Sequence, residues 1–427
     1  MSISRIPAFY KKNLTQRQTS LLQQCPQLTL QDLQALEGQS HALDWARADK
    51  MIENCIGVLA LPLGVALNFT INNKDYLIPM AVEEPSIVAA VSHIARLARP
   101  CGGFTASSDA SIMIAQVQIV DLPHVEAAIK QLQDHKEELI EQANHLQPNL
   151  VQRGGGVRDI ETRVLSSPTG SLMLVVHFLV DCLDAMGANA VNTIAEGMAH
   201  PLAVLTGGQV CLRILSNLAD KRLARAEISV AMEALDTANM AGAEVASNML
   251  TAYHLAYVDP YRACTHNKGI MNGIDAVAIA TGNDWRGIEA GAHAYACRDG
   301  QYRSLTHWWI EDDRLHGKIE LPLAVATVGG STGVHPSILT ARKILAVEQA
   351  SELAMVMAAV GLAQNMGAIK ALASEGIQRG HMNLHARSVA LAAGAQDYEV
   401  EALAQALIQA KQIRVGYACE LLQKMRD

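Results

Sequence analysis

The sequence predicts an α+β protein in which a large helix-rich domain carries an inserted domain of four strands and two helices. Three observations lead to this fold class. Apolar residues make up 50% of the 427 residues and aromatic residues only 4%, which is typical of a helical core of Ala, Val, Ile, Leu and Met. Residues 110–218 follow the order β-α-β-β-α-β of the split βαβ, ferredoxin-like unit. Long helical patterns flank that region at residues 225–257 and 344–367.

The first half of the inserted unit is a strand followed by a helix. Residues 111–121, SIMIAQVQIVD, are β-branched and partly alternating, which predicts a strand. Residues 123–146 have apolar side chains at three- and four-residue spacing, and Pro123 suits a first helical turn. We therefore predict one long amphipathic helix there.

The second half of the unit adds a hairpin, a helix and a closing strand. Residues 153–181 contain two strand patterns joined by Ser-Pro-Thr-Gly at 167–170, which is a turn signal. Residues 184–208 predict a second helix that stops at the glycine pair 207–208. Residues 209–217, QVCLRILSN, predict the last strand.

These elements divide the chain into four segments. Residues 110–218 form the inserted domain, and residues 1–109 and 219–376 come together as one large domain. After the glycines of SEGIQRGH, residues 377–427 contain two further helical segments, which predict a small C-terminal flap.

Composition excludes several classes of function and location. The 34 basic and 42 acidic residues give a formal charge of −8 without any basic block, so no nucleic-acid or anionic-membrane partner is expected. The eight cysteines are scattered without a C-x-x-C motif, which argues against a zinc ribbon and a dense disulfide framework. The N-terminus lacks the apolar core of a signal peptide, and no unbroken apolar run reaches about 18 residues. We therefore expect a cytoplasmic protein.

The stretch HNKGIMNGIDAVAIATGND, residues 266–284, places a lysine among apolar and amide side chains. Buried charges are costly unless they are paired, and the charge state of lysine responds strongly to burial. Lys268 is therefore either part of a site or one half of an ordinary surface Lys-Asp pair.

Two further motifs could take part in catalysis or binding, and each also has an ordinary structural explanation. Glu83 and Glu84 precede Pro85 and small apolar residues, so one of them could act as a proton donor near neutral pH, although most such pairs are merely solvated. In DAMGANAVN, residues 184–192, a glycine-containing turn precedes a helix. The N-terminus of this helix would suit a phosphate, and the alternative is an ordinary capped helix.

The remaining motifs are a histidine pair and a glycine-rich turn. His381 and His385 are one helical turn apart, but no H-E-x-x-H motif or nearby cysteine supplies a third metal ligand, so acid–base chemistry is favoured over metal binding. Residues 326–336, ATVGGSTGVHP, would let the backbone approach a ligand closely, and an ordinary loop explains them nearly as well.

Five motifs together resemble the 3-hydroxy-3-methylglutaryl-coenzyme A reductase family, in the family's order and over nearly the whole chain. They are ENCIG at 53–57, EEPSIVAA at 83–90, DAMGANAVN, DPYRACTHNKGIMNGIDAVAIATGND at 259–284 and GHMNLHARS at 380–388. The short N-terminus and the HMNLHAR form are similar to class II members from bacteria or archaea.

The resemblance implies an enzyme that converts 3-hydroxy-3-methylglutaryl-coenzyme A (HMG-CoA) to mevalonate and coenzyme A, or catalyses the reverse reaction. It would use two successive hydride transfers with NADH or NADPH and no metal. Lys268 would donate to the thioester oxygen, and Glu84 would deliver a proton. Asp284 would sit against both and keep Lys268 protonated, and His381 would protonate the departing thiolate from a closing flap. The contrasting hypothesis is a non-catalytic coenzyme A- or nucleotide-binding protein on the same scaffold.

Further positions acquire roles by the same resemblance. Ser86 and Arg262 would hold the carboxylate end of the substrate, Asn272 would complete the hydrogen bonds of the lysine, and His385 would also contact substrate. The residues matched to the nicotinamide cofactor are Asp184, Met186, Gly187, Asn189, Asn217, Gly329 and Gly330.

The resemblance also implies partners and domain roles. The large domain would bind substrate and dimerise through the ENCIG segment, and the inserted domain would bind the cofactor. We expect an obligate homodimer with active sites at its interface, which could assemble further into a hexamer as a trimer of dimers. Gln147 stands where NADH-preferring members tend to have an acid that bonds the ribose 2′-hydroxyl, which predicts relaxed or NADPH-leaning specificity.

Overall fold

The computed structural model describes residues 3–37, 42–374 and 377–426, and their side chains except those of residues 331, 332, 377–384 and 397. The helices are α1 (Leu14–Gln24), α2 (Leu30–Gln34), α3 (Trp45–Met51), α4 (Ile87–Ala98), α5 (Val125–Asp134), α6 (Lys136–His145), α7 (Pro148–Gln152), α8 (Ala188–Gly197), α9 (Ala199–Thr206), α10 (Gly242–Val258), α11 (Pro260–Thr281), α12 (Trp285–Tyr295), α13 (Pro336–Leu345), α14 (Ala350–Ala373), α15 (Ile377–Ala392), α16 (Asp397–Gln409) and α17 (Val415–Arg426). The strands are β1 (Leu63–Ile71), β2 (Lys74–Ala81), β3 (Phe104–Ser108), β4 (Ile112–Val120), β5 (Gly156–Ser166), β6 (Leu172–Asp181), β7 (Gln209–Ser216), β8 (Leu223–Ala231), β9 (Thr306–Glu311) and β10 (Arg314–Pro322). The α+β class predicted from the sequence is confirmed.

A six-stranded sheet forms the base of the large domain, in the order β2-β1-β3-β8-β10-β9. Only the β1–β3 pair is parallel among these neighbours. The β1–β2 hairpin turns at Asn72 and Asn73 and the β9–β10 hairpin at Asp312 and Asp313, all four with positive φ. Asn and Asp tolerate this conformation, and such two-residue turns match the twist of the flanking strands.

Helix α14 is the central packing element of the large domain and contacts α4, α10, α11, β3 and β8. Two glycines let α11 approach it closely. A Cβ on Gly361 would lie 2.8 Å from Cδ1 of Ile274, and a Cβ on Gly273 would lie 3.0 Å from Cβ of Gln364. By length and composition α14 could cross a membrane, but 78% of its most apolar window is buried inside the protein, as in a core helix.

The inserted region is a four-stranded antiparallel sheet in the order β5-β6-β4-β7. Helices α5, α6, α8 and α9 bury one face of this sheet. This is the split βαβ order, so the predicted sequence of elements is confirmed, including the hairpin at Ser-Pro-Thr-Gly.

Both helices predicted in this region are broken in the structure. The first begins at Val125 instead of Pro123 and is interrupted at His135, and a short α7 follows it. The second begins only at Ala188 and divides at Met198 into α8 and α9. The second break has a clear cause, because Pro201 cannot donate a hydrogen bond to the carbonyl four residues earlier and its ring clashes there.

Buried apolar side chains form three main clusters. The largest lies between the six-stranded sheet and helices α4, α10, α11, α12 and α14. A second belongs to the inserted region, and a third joins α15, α16 and α17. The predicted boundaries 1–109, 110–218, 219–376 and 377–427 stay a prediction.

Candidate active site

Helix α11 carries Lys268, and the polar residues just before the lysine hold this helix in the core. His266 is 2% exposed, and its Nε2 lies 2.7 Å from Oγ1 of Thr306 and 2.9 Å from Nδ2 of Asn365. Asn267 donates to the carbonyl of Arg303 and accepts from the backbone N–H of Leu305. Burial, together with the charge of Arg262, lowers the pKa of His266 to about 3. Much of the polarity of this stretch is therefore structural.

Lys268 itself points to a carboxylate across the domain. Its Nζ lies 2.9 Å from Oε2 of Glu84, which follows β2, and the amide of Asn272 donates to the same oxygen at 3.4 Å. We call Glu84, Lys268 and Asn272 the lysine cluster. In the sequence, Glu84 is 184 positions from Lys268 and 188 positions from Asn272.

The lysine cluster differs from the sequence prediction in two ways. The side chain of Lys268 is 59% exposed and that of Glu84 is 40% exposed, so the expected burial of the lysine is wrong for the single chain. Asn272 donates to Glu84 and not to the lysine, and the same carboxylate oxygen accepts from both Asn272 and Lys268.

Two groups near the lysine cluster in sequence have unused hydrogen-bonding capacity. Ser86 has a left-handed backbone with φ 78°, and its buried hydroxyl has no hydrogen-bond partner among the described residues. A non-glycine residue in this conformation is strained, and such residues concentrate at functional sites. The guanidinium of Arg262, in the first turn of α11, makes no hydrogen bond or ion pair within the described residues, and burial lowers its pKa. Both groups are suited to a carboxylate.

The two segments matched to the cofactor lie side by side. We call residues 184–187 and 325–330 the dinucleotide loops. A parallel bridge joins Ala185 to Val328, and the N–H of Thr327 donates to the carbonyl of Asp184 at 2.9 Å. The Asp184 carboxylate accepts from the N–H of Ala350 at 2.8 Å, so in this structure it also fixes the start of α14.

Glycines shape the backbone of both loops. Gly187 has φ 96° and precedes α8, and a Cβ there would overlap Sγ of Cys182. Gly329 and Gly330 also have positive φ, and a Cβ on either would meet no atom of the described residues within 4 Å. Met186 is partly buried and Asn189, in the first turn of α8, is exposed. The backbone of residues 329–330 is therefore open to a ligand, and that of Gly187 is closely packed at the start of α8.

Two arginines that the sequence reasoning missed hold these loops, and only the first of them contacts both loops. Arg222 is 4% exposed, and its guanidinium donates to the carbonyls of Ala185 at 3.2 Å and Val325 at 2.5 Å. Arg342, on α13, donates to the carbonyl of Thr327. Arg222 lies in the charged run DKR, which by sequence alone is indistinguishable from a solvated turn.

Asp284 lies with the dinucleotide loops, away from Lys268. It accepts from the N–H of Gly287 at 3.1 Å and caps α12, and a Cβ on Gly287 would lie 3.2 Å from Oδ1 of Asn217. The side chain of the preceding Asn283 donates to the carbonyl of Ala326 and accepts from the N–H of the same residue.

The expected contact between Asp284 and the lysine cluster is not formed within this chain. Within the described residues no ion pair joins Asp284 to Lys268. Asp284 follows the C-terminal end of α11, and Lys268 lies about 20 Å from that end along the helix axis. The predicted site residues therefore form two groups, the lysine cluster and the dinucleotide loops with Asp284.

The histidines predicted in the flap lie on one helix. His381 is on α15, but its side chain lies outside the described residues. His385 lies one turn further along the same helix and is exposed.

Comparison with known proteins identifies the family to which the chain is similar. The sequence model of the family "Hydroxymethylglutaryl-coenzyme A reductase" matches residues 14–386. The 3-hydroxy-3-methylglutaryl-coenzyme A reductase of Archaeoglobus fulgidus is 50% identical over 99% of this chain and 95% of its own length. A probable enzyme of the same name from Borreliella burgdorferi is 36% identical over 79% of this chain and 77% of its own.

Solved structures give the same result. A 3-hydroxy-3-methylglutaryl-coenzyme A reductase from Streptococcus pneumoniae superposes with a TM-score of 0.83 at 39% identity, over 98% of this chain and 99% of that one. A class II structure from the same organism, bound to NADPH in open conformations, has a TM-score of 0.82 at 40% identity over 86% and 99%.

The fold and these matches define an NAD(P)H-dependent oxidoreductase. The chain belongs to the hydroxymethylglutaryl-coenzyme A reductase family, and its structure matches a class II member. The enzymatic interpretation is confirmed, and the contrasting hypothesis of a non-catalytic binding protein finds no support.

Proposed function

We propose that the chain interconverts HMG-CoA and mevalonate plus coenzyme A, using two molecules of NAD(P)H for each thioester reduced. The observation that carries this proposal is the Lys268–Glu84 pair at 2.9 Å, with Asn272 on the same carboxylate oxygen. A protonated amine and a carboxyl group held together can stabilise a developing oxyanion and supply a proton to it.

The substrate would bind with its reacting carbonyl at Lys268. The ammonium group donates to the thioester oxygen as hydride arrives, and again to the oxygen of the aldehyde intermediate. Glu84 takes up the hydroxyl proton as the hemithioacetal breaks down and delivers a proton to the aldehyde oxygen as the aldehyde is reduced. Ser86, Arg262 and His385 hold the substrate, the first two through its carboxylate. His381 protonates the coenzyme A thiolate when the flap closes.

The dinucleotide would bind across the loops at residues 184–187 and 325–330. Its pyrophosphate is suited to the N-terminus of α8, where free N–H groups and the helix dipole favour an anion. Met186, Gly187 and Asn189 line this end, Gly329 and Gly330 lie opposite, and Asn217 is close to Asp284. Asn217 and Asp284 would then be the residues available to the nicotinamide end of the cofactor.

We further propose that a second copy of the chain supplies Asp284 to the lysine cluster. Two observations support this arrangement: the separation of Asp284 from Lys268 within one chain, and a long exposed apolar segment around ENCIG. Within residues 52–61 the exposed fractions are 61% for Ile52, 93% for Ile56 and 91% for Leu59. Contiguous apolar surface of this kind marks an interaction surface. The assembly is then a homodimer, which could form a trimer of dimers, and we expect it in the cytoplasm.

Cofactor choice is proposed to be relaxed or to favour NADPH. Gln147 immediately precedes α7, and an amide there neither repels nor strongly attracts a 2′-phosphate. Gln147→Asp should shift the ratio of kcat/KM values towards NADH. A wild-type preference for NADH above about a hundredfold, roughly 2.7 kcal/mol, would contradict the proposal.

The reaction itself is tested with purified protein, HMG-CoA and NADH or NADPH in parallel. Absorbance of the reduced nicotinamide and release of the coenzyme A thiol are followed together. Two cofactor molecules oxidised per thiol released would support the reductase. Absence of oxidation with either cofactor, in folded protein, would overturn it.

A further inference from the structure

Arg222 occupies an unusual electrostatic position for a residue without an assigned role. It lies just before β8, in the connection from the inserted sheet back to the large one, and is 4% exposed. Its guanidinium donates to Ala185 and Val325, while its own carbonyl accepts from the N–H of Leu323. One residue thus joins the end of β10 to both dinucleotide loops.

In the part of the chain that the structure describes, Arg222 has no ion-pair partner. Within the described residues no carboxylate oxygen lies within 4.0 Å of it, and the two nearby aspartates have other partners. Asp181 pairs with Arg158 at 3.2 Å, and Asp184 accepts from Ala350. Burial lowers the pKa of Arg222 to about 10, so the guanidinium stays charged at neutral pH. A buried cation that meets only backbone carbonyls is costly for folding alone.

The location explains what this cation can do. Ala185 is two residues before Gly187, where the turn leads into α8. An anion seated at the start of α8 would meet the helix N-terminus in front and the charge of Arg222 behind. The same guanidinium fixes the spacing between residues 184–187 and 325–330, and therefore the width of the dinucleotide site.

We propose that Arg222 is a positioning residue for the dinucleotide, which holds the two loops in register and places a permanent positive charge behind the pyrophosphate. This inference rests on the proposed cofactor site. It predicts that Arg222 sets the affinity for NADH and NADPH while leaving the affinity for HMG-CoA unchanged.

The experiment compares full-length wild type with Arg222→Met, Arg222→Lys and a control, Arg225→Met. Arg225 lies on β8, and within the described residues its guanidinium bonds only to Asp109 and Glu320 and to neither loop. Direct binding of NADPH is measured by fluorescence, and KM is measured separately for NADPH and HMG-CoA. Hydrogen–deuterium exchange follows the Thr327 amide, which donates to Asp184 in the native structure.

We expect Arg222→Met to raise the Kd and KM for NADPH at least tenfold, about 1.4 kcal/mol, with the KM for HMG-CoA within twofold of wild type. Arg222→Lys keeps the charge but loses the planar fork, so it should recover part of the affinity. Exchange at Thr327 should accelerate in Arg222→Met and stay unchanged in Arg225→Met.

Three results would overturn the inference. A folded Arg222→Met protein with NADPH affinity within twofold of wild type would remove the proposed role. Equal losses of affinity for both substrates would indicate a general structural effect. If Arg222→Met does not fold, unchanged NADPH affinity in Arg222→Lys has the same meaning as the first result. If wild type binds NADPH but does not reduce HMG-CoA, the proposed reaction is contradicted. The role of Arg222 is then decided by the NADPH affinities of the variants alone.

Discussion

The lysine cluster and the dinucleotide loops are built in opposite ways. The cluster consists of side-chain contacts between exposed or half-exposed groups on α11 and after β2. The loops are fixed by backbone hydrogen bonds, by a β-bridge and by buried or partly buried arginines. A site made of exposed charges can change its partners when substrate arrives, whereas a site made of backbone is set when the chain folds. Substitutions in the cluster should therefore affect catalysis with little effect on stability.

The largest expected effect is at Lys268. Lys268→Ala should reduce kcat by about 10³-fold, the magnitude observed when one oxyanion donor is removed, for both the thioester and the aldehyde mevaldehyde. The control is Lys343→Ala, which breaks an ion pair with Asp32 far from the cluster in sequence and should leave kcat unchanged. Retention of more than about a tenth of kcat in Lys268→Ala would contradict the oxyanion role.

Glu84 offers a matched pair of variants because its neighbour is also a glutamate. Glu84→Gln keeps the shape but removes the proton, and kcat should fall about 10²-fold or more. Glu83→Gln changes the exposed neighbour and should behave as wild type. Thermal unfolding is measured for both variants, so that a loss of kcat is separated from a loss of stability. Similar losses of kcat in the two variants would remove the distinction.

Two variants of Asp284 distinguish its proposed catalytic role from its role as the N-cap of α12. Asparagine caps nearly as well as aspartate, so Asp284→Asn should keep the free energy of unfolding and lower kcat at least about tenfold. Asp284→Ala should show the same kinetic loss and, in addition, a loss of about 1 kcal/mol in stability from the missing α12 cap. A fully active Asp284→Asn enzyme would mean that the carboxylate serves only the cap.

The smallest expected effect is on thermal stability, at the carboxyl pair formed by Asp275 on α11 and Glu289 on α12. Burial and the neighbouring Glu289 raise the pKa of Asp275 to about 8. Its folded-state pKa exceeds the unfolded one, so the stability it contributes is present at low pH and is lost as pH rises from about 4 to 8. Asp275→Asn should remove this loss. Its Tm should exceed that of wild type by about 2 °C at pH 8.5, with the gap closing towards pH 5, whereas Glu83→Gln should show no such trend.

Much of the fold was accessible from the sequence because its signals are local. The strand alternation, the Ser-Pro-Thr-Gly turn and the helical spacing each depend on neighbouring residues, and the structure has these elements in the predicted order. The helix breaks at His135 and Met198 were missed. Pro201 did carry a signal for the second break, which the apolar pattern outweighed.

The candidate site was only partly accessible. The motifs identified Glu84 and Lys268, which the structure places in contact. The exposure of Lys268 depends on how α11 packs on α14, which no local pattern encodes. Arg222 was invisible because its two partners are backbone carbonyls, and any sequence could supply those.

The most direct test of the account is whether Asp284 and Lys268 of one active site come from different chains. Lys268→Ala and Asp284→Asn proteins, each strongly impaired as homodimers, are mixed under conditions that exchange subunits. In a mixed dimer with shared sites, one site receives both defects and the other receives neither, so random exchange should restore about a quarter of wild-type activity. If activity stays at the level of the separate variants although mixed dimers are demonstrated, each site is completed within one chain and the proposed division is wrong.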